Sequence, residues 1–324
     1  LGNGYIYHLW SDKMGQISAN FSLEMIETMK QFYQEESENP PQGALFRARK
    51  NGVVITGYKS GKVLFQGANV ESEFAKWEKQ QVNRQRTSRS KTESKFAPPE
   101  SLFSQNHIGS DESGSGDSFG PITACAVYVE AGQIEQLREI GIQDSKALSD
   151  RKVKQLAKQL LDLHIPYSLI VLRNERYNEL QRQGWTQAKM KTMLHHAVIE
   201  KVMEKRNVTT KKGILIDQFC PSDVFINYLT QENKLLFDHT YFMTKAEDYS
   251  IAVAAASIIA RASSLKELDE LSQFVGVDLL KGASAEVDRL AAQMMGEKGE
   301  SILNKIAKIH FANTKKAKKY LAKN

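Results

Sequence analysis

Apolar residues recur with two different periods along this chain, and the change of period divides it. From residue 22, Leu23, Ile26, Met29 and Phe32 fall at helical spacing, which predicts a helix with Ser22 as its N-cap. Asn39-Pro40-Pro41-Gln42-Gly43 ends it. Three strand-like runs follow: Ala44 to Arg49, Val53 to Tyr58, and Lys62 to Gln66. Asn51-Gly52 and Ser60-Gly61 between them are hairpin signals. A second helix from about Glu71 has Phe74 and Trp77 on its apolar side. Helix, three-strand meander and helix predict a small α+β unit over residues 1–82. Residues 1–13 show no periodicity and are set aside as an extension.

Residues 83–100 change character, to Arg, Ser, Lys, Gln and Thr closing on Pro98-Pro99, and read as a basic flexible linker. Residues 101–324 then alternate between periods. Ile122 to Val129 reads as a buried strand, Gln133 to Ile140 as a short helix, and Ser149 caps another helix through Leu161. Tyr167 to Leu172 reads as a strand, and a helical stretch around Tyr177-Asn178 leads to a long helix from about Gln187 to Arg206. Gly213-Ile214-Leu215-Ile216-Asp217 is a second buried strand, and Ile251 to Ala262 a helix of small residues. This alternation predicts a mixed α/β sheet flanked by helices.

Composition bounds the setting. Hydrophobic residues are 41% of 324 and charged residues 25%, as in soluble globular proteins. The longest apolar run, Ile251 to Ala260, is half of the roughly 20 residues a membrane span needs. Leu1 to Trp10 lacks the basic flank and apolar stretch of a signal peptide, so the cytoplasm is the expected compartment and no membrane the expected partner. Cys125 and Cys220 have no metal-ligand spacing, and Cys125 reads as a packed core thiol. The net charge of +6 is unevenly placed: residues 82–95 carry +4 and residues 311–324 carry +5, leaving the remainder near −3. Basic arms around mildly acidic bodies suit a polyanionic partner, although Lys-rich tails also serve solubility alone.

The candidate chemistry centres on Asp111-Glu112-Ser113-Gly114-Ser115-Gly116, running on to Gly120-Pro121. Adjacent strand residues point to opposite faces, so two neighbouring acids serving one site imply that the strand ends before them and the chain turns. Acids at a glycine-rich turn suit a divalent metal facing phosphate or sugar, and equally suit a solvated turn. The glycines miss G-x-G-x-x-G by one position and no helix follows. Neither serine has nucleophile-elbow spacing, and Gly57 to Val63 falls one residue short of a P-loop. Asp217 ends an apolar strand, where functional groups gather in open sheets, though a helix cap ends strands as often. Glu247 precedes the alanine-rich helix, whose close packing would fix it, and an acid there also complements the helix dipole. In the small unit, Tyr58, Lys59 and Lys62 mix aromatic and basic character on a sheet face suited to a nucleic-acid backbone, so binding and not chemistry is expected there.

Taken together and in order, the Asp-Glu-Ser-Gly turn, Asp144-Ser145-Lys146, Ile216-Asp217, and Lys245-Ala246-Glu247 followed by Ala254-Ala255-Ala256-Ser257 resemble the type 2 ribonucleases H. Lys59-Ser60-Gly61-Lys62-Val63-Leu64-Phe65-Gln66-Gly67 and His310-Phe311-Ala312-Asn313-Thr314 resemble the HIII branch of that family, as does a Glu as the last acid. The resemblance covers nearly everything from residue 20 onward. It implies an α/β ribonuclease H-like fold with a small N-terminal α+β domain like the TATA-binding protein. It implies endonucleolytic cleavage of the RNA strand of RNA/DNA hybrids with two Mg²⁺ or Mn²⁺ ions, by a monomer, leaving 5′-phosphate and 3′-hydroxyl ends. Asp111, Glu112, Asp217 and Glu247 match the catalytic, metal-holding acids, with Asp248 a neighbouring carboxylate. Gly114, Ser115, Gly116, Ser145, Lys146, Tyr177 and Asn178 are expected to contact substrate. The competing readings are cleavage at single ribonucleotides in DNA, as in the HII branch, and a non-catalytic hybrid-binding protein. A pure binder of polyanions gains nothing from four acids.

Overall fold

In the computed structural model of the chain, the residues described are 15–41, 43–78, 95–142, 148–205, 208 and 213–322. The chain divides into two compact units, Leu1–Arg89 and Ser90–Asn324. The basic segment 83–94 and the loop residues Ser145 and Lys146 lie outside the described residues.

The small unit contains β1 (Gly15–Asn20), α1 (Leu23–Phe32), β2 (Ser37–Glu38), β3 (Ala44–Lys50), β4 (Val53–Tyr58), β5 (Lys62–Gly67) and α2 (Val70–Ala75). Its five strands are antiparallel in the order β1-β5-β4-β3-β2. The expected meander is the centre of this sheet, and β1 and β2 extend it at both edges. Neither edge strand alternates strongly enough to be read from sequence. Ser22 caps α1 as expected, accepting from the Met25 amide. The helix touches the sheet through a narrower stripe than expected: Ile26 and Met29 are buried, while Leu23 and Phe32 are exposed. Alternation puts Ala19, Val53, Ile55, Val63 and Phe65 on the covered face. The opposite face carries registered rows such as Ser18, Leu64, Thr56 and Arg47. At its hairpin end Lys59 and Lys62 are exposed and Tyr58 half-buried.

The large unit contains β6 (His107–Ser113), β7 (Ile122–Val129), α3 (Ile134–Glu139), α4 (Asp150–Asp162), β8 (Tyr167–Leu172), α5 (Asn174–Arg182) and α6 (Gln187–Met203). It continues with β9 (Ile214–Asp217), α7 (Ser222–Gln231), β10 (Thr240–Met243), α8 (Ile251–Val275), α9 (Ala285–Lys298), α10 (Ile302–Ile306) and α11 (Ala312–Leu321). The sheet order is β10-β9-β6-β7-β8, parallel on the β10 side and antiparallel on the β8 side, the mixed sheet expected. One apolar layer joins its Cys125 face to α4 and α8, and another joins the opposite face to α5, α6 and α7. Cys125 is a buried core thiol. Phe96, from the stretch read as linker, packs on the second layer, and its carbonyl accepts from the Phe242 amide at 2.9 Å. The basic C-terminal stretch is not a loose arm: Ala312–Leu321 is helical, with Ala317 buried in a third cluster built by α9 to α11. Among the described residues no helix is long and apolar enough to cross a membrane.

α8 lies across β6 at backbone contact. A Cβ on Gly109 would stand 2.2 Å from the Val253 amide nitrogen and 2.3 Å from the Ala252 carbonyl carbon. Ala252, Ala254, Ala255, Ala256 and Ala260 are fully buried, so small residues on the helix match the missing side chain on the strand. His107 seals the same junction: Nδ1 donates to the Gln105 carbonyl, and Nε2 accepts from the Ser250 hydroxyl that caps α8, at 2.7 Å. We expect Gly109→Ala to destabilise the large unit by about 1–3 kcal/mol or more through overpacking. A thermal midpoint equal to wild type would contradict this contact.

Candidate active site

β6 brings Asp111 in, β9 brings Asp217, and the turn before α8 brings Glu247. β6 and β9 run parallel with Ser110 opposite Ile216, so Asp111 and Asp217 occupy the next level of the sheet on neighbouring strands. Asp111 shares the face of Gly109, and Asp217 the face of Leu215, whose cluster includes Val253 of α8 and Ala246. Asp111 therefore faces α8 beside Ser257, and Asp217 faces the segment that leads into the helix. Glu247 is buried there, in a 3₁₀ turn entered through Lys245 in the left-handed region at φ 56°. That strained backbone turns the chain sharply from β10 into the acid. The neighbouring Asp248 is exposed.

β6 does not stop before the acids. It is paired through Ser113, so Glu112 points to the opposite face from Asp111. There Glu112 meets α6, whose Lys191 and His195 are one helical turn apart on one side. Lys191 forms an ion pair with one carboxylate oxygen, and His195 Nε2 lies 2.9 Å from the other. His195 Nδ1 is 2.7 Å from the Ser110 hydroxyl, which itself donates to the Cys125 carbonyl at 3.0 Å. Phe219 closes the group, stacked on His195 with Lys191 Nζ 4.0 Å from its ring centre. Lys191 and His195 were not foreseen. Their only sequence signal is an i, i+4 pair in a helix buried almost all round, which does not reveal a carboxylate partner.

Electrostatics separates the acids. Burial pushes Asp111 well above the ordinary carboxylate range, and the nearby Glu112 and Asp217 charges push it further. Burial also raises Asp217, to about 6, with Glu247 and Glu112 adding repulsion and the Ala246 amide opposing them. Burial acts to raise Glu112 too, but His195 and Lys191 outweigh it and hold that carboxyl below its usual range. Among the described residues no cation pairs with Asp111 or Asp217. Asp111 instead accepts from Ser257 and from the Glu112 amide at 2.7 Å, and Asp217 accepts from the Ala246 amide at 3.0 Å. As the side chains stand, no three of the described His, Cys, Asp or Glu groups already converge as a formed ligand sphere.

The glycine-rich stretch joins β6 to β7. Gly114 needs its left-handed φ of 85°, and a Cβ there would be 2.3 Å from the Pro121 carbonyl oxygen. A Cβ on Gly116 would meet nothing within 4 Å, so the backbone at 115–116 is open to a partner. Gln187 Nε2 donates to the Ser115 carbonyl at 3.0 Å and to the Tyr177 hydroxyl at 3.1 Å. Tyr177 and Asn178 do not reach outward as expected: both are buried. Asn178 donates to the Asn304 and Ala307 carbonyls and accepts from the Ile309 amide, while Tyr177 stacks on His310. On the inner side of α5 they hold the 304–310 segment.

Comparison with known proteins identifies the family. The model of ribonuclease HII matches residues 108–314, and a domain of unknown function matches residues 16–91. A ribonuclease HIII of Oceanobacillus iheyensis is 50% identical over 92% of this chain and 97% of its own length. One of Bacillus pumilus is 44% identical over 95% of this chain and 100% of its own. The chain belongs to the ribonuclease HIII family. As a type 2 ribonuclease H it is a hydrolase acting on RNA in RNA/DNA hybrids, with the fold the resemblance implies. A solved Bst ribonuclease HIII, in complex with Mn²⁺, superposes with a TM-score of 0.67 at 38% identity, covering 96% of this chain and 100% of that one.

The raised Asp217 sets a pH dependence. Between its ordinary 3.8 and about 6 the folded chain holds more protons here than the unfolded chain, so stability falls as pH rises through that window. Asp217→Asn removes the repulsion and, in a chelating buffer at pH 7, should be more stable than wild type by roughly 1–3 kcal/mol. The advantage should vanish below about pH 4, where both chains are uncharged at this position. Equal unfolding midpoints at pH 7 would refute the repulsion.

Proposed function

We propose that the chain cleaves the RNA strand of RNA/DNA hybrids endonucleolytically, as a monomer, leaving 5′-phosphate and 3′-hydroxyl ends, with Asp111, Glu112, Asp217 and Glu247 as its catalytic acids. The observation that carries this is the convergence of Asp111, Asp217 and Glu247, distant in sequence, at one end of a sheet with their charges opposed. The donor set fits hard divalent cations: carboxylate oxygens whose mutual repulsion a 2+ charge relieves. Asp111, Asp217 and Glu247 would together hold two ions of Mg²⁺ or Mn²⁺. When bound, such ions neutralise phosphoryl charge and lower the pKa of an attacking water.

The protein's own groups supply the rest. Glu112, kept ionised by Lys191 and His195, orients the attacking water or the RNA 2′-hydroxyl by accepting a hydrogen bond. Gly114, Ser115 and Gly116 offer backbone N–H and C=O groups to the minor groove, where the 2′-hydroxyl marks the RNA strand. Ser145 and Lys146 take phosphate or sugar. The open face and hairpin of the small unit, with Tyr58, Lys59 and Lys62, holds the hybrid backbone.

Incubating a labelled RNA/DNA hybrid with and without Mg²⁺ or Mn²⁺ tests the reading directly. Asp111→Asn and Asp217→Asn should each lower cleavage by at least about 10³-fold while hybrid binding stays measurable. Robust cleavage by either variant would exclude the site. Removing residues 1–94, which spares the Phe96 contact, should weaken hybrid binding more than turnover at saturating hybrid. Affinity of the full chain should also fall steeply with salt. An unchanged affinity after truncation would remove the small unit's binding role.

A further inference from the structure

The turn at 114–120 is held by Gln187 at Ser115, by Gly282 at Asp117 and Ser118, by Asn174 at the Gly120 carbonyl (2.9 Å), and by a segment from the far end of the chain. Lys308 lies between α10 and α11 and is fully buried. Its Nζ donates to the Asp117 carbonyl at 2.8 Å and to the Gly120 carbonyl at 2.6 Å. Its own amide donates to the Ser118 carbonyl at 2.8 Å, the Gly120 amide donates to the Ile306 carbonyl at 2.9 Å, and Phe119 forms a bridge with Ala307. The rings of Tyr177 and Phe311 stand 6.0 and 5.9 Å from the Nζ atom.

Among the described residues no carboxylate forms an ion pair with Lys308. The Asp117 carboxylate accepts instead from the Gly282 amide at 2.6 Å. An ammonium buried with no direct ion pair, its charge only partly offset by nearby Asp117, is costly, and simple attachment of the turn is already supplied by the backbone pairs at Ser118, Phe119 and Gly120. The side chain adds something they do not: one group grips two carbonyls three residues apart, which sets the curvature of the turn. Burial pulls the amine down to about 7. It donates both bonds in either protonation state. Residues 115 and 116 stand between this clamp and the single Gln187 bond to the Ser115 carbonyl on the other side.

We propose that Lys308 is a positioning residue for substrate, clamping the 117–120 carbonyls so that the 114–116 backbone fits the RNA strand. This rests on the reading of 114–116 as a hybrid-contacting segment. Lys308→Met, close in size and without donors, should raise KM for an RNA/DNA hybrid about tenfold with kcat at saturation within about twofold. Amide exchange at 115–120 should quicken while β6 and β7 stay protected. Lys308→Gln, which keeps donors, should recover part of the KM. Should the Met variant fail to fold, the Gln variant alone decides: a raised KM with faster exchange at 115–120 supports the clamp. Unchanged KM, or a kcat loss at unchanged KM, overturns it. Gly116→Val separates the two layers of the argument, since its added side chain meets only open space. If that variant raises KM and Lys308→Met does not, the clamp fails alone. If neither raises KM, the segment does not meet the hybrid and the underlying reading fails with it.

Discussion

Everything at this site depends on how closely α8 approaches β6. A helix normally packs on a sheet through a layer of side chains between them. Here Gly109 removes the strand's side chain and a run of buried alanines removes most of the helix's, so backbones touch. That contact sets the start of α8 level with His107 and brings Asp111 beside Ser257, in the helix's second turn. Glu247, four residues before the helix begins, is delivered to two acids that come from paired strands. His107 and Ser250 then fix the junction with hydrogen bonds that exclude sliding along the strand. A packing constraint between small residues thus becomes a constraint on charge.

The charges themselves are arranged against their own interest. Carboxyls gathered at a buried sheet end lose solvation and repel, and the raised Asp111 and Asp217 record burial first and that repulsion second. Such a cluster is stable enough to fold because the remainder of the large unit buries three sizeable apolar layers around it. Glu112 escapes by lying on the other face, where α6 supplies a lysine and an imidazole. The pleat therefore sorts two adjacent acids into two electrostatic environments. One set awaits positive charge from outside, and the other has it built in.

The glycine-rich turn links these environments to a third part of the unit. It leaves β6 after Ser113, one residue beyond Glu112, and is gripped by α6 through Gln187 and by the segment between α10 and α11 through Lys308. Helices at the far end of the chain therefore complete the frame of a turn nearly two hundred residues earlier. Tyr177 and Asn178 belong to that frame, packed beneath it on α5.

The residue types and their order carried most of the identity. Period changes located the strands and helices of both units, the hairpin turns were legible from Asn51-Gly52 and Ser60-Gly61, and four acids in a familiar order named the family, because each signal is local. What lay outside local pattern came from packing. β1 and β2 are strands only because a sheet edge receives them, and the basic C-terminal stretch is a helix because Ala317 finds a cluster to enter. Sequence alone suggested that the strand must break for Asp111 and Glu112 to act together; tertiary structure kept the strand and set them on opposite faces. The partners of Glu112, the burial of Tyr177 and Asn178, and the grip of Lys308 all join residues tens to hundreds of positions apart. A one-dimensional pattern reports which face a side chain takes. Which distant group waits on that face is decided only when the faces are brought together.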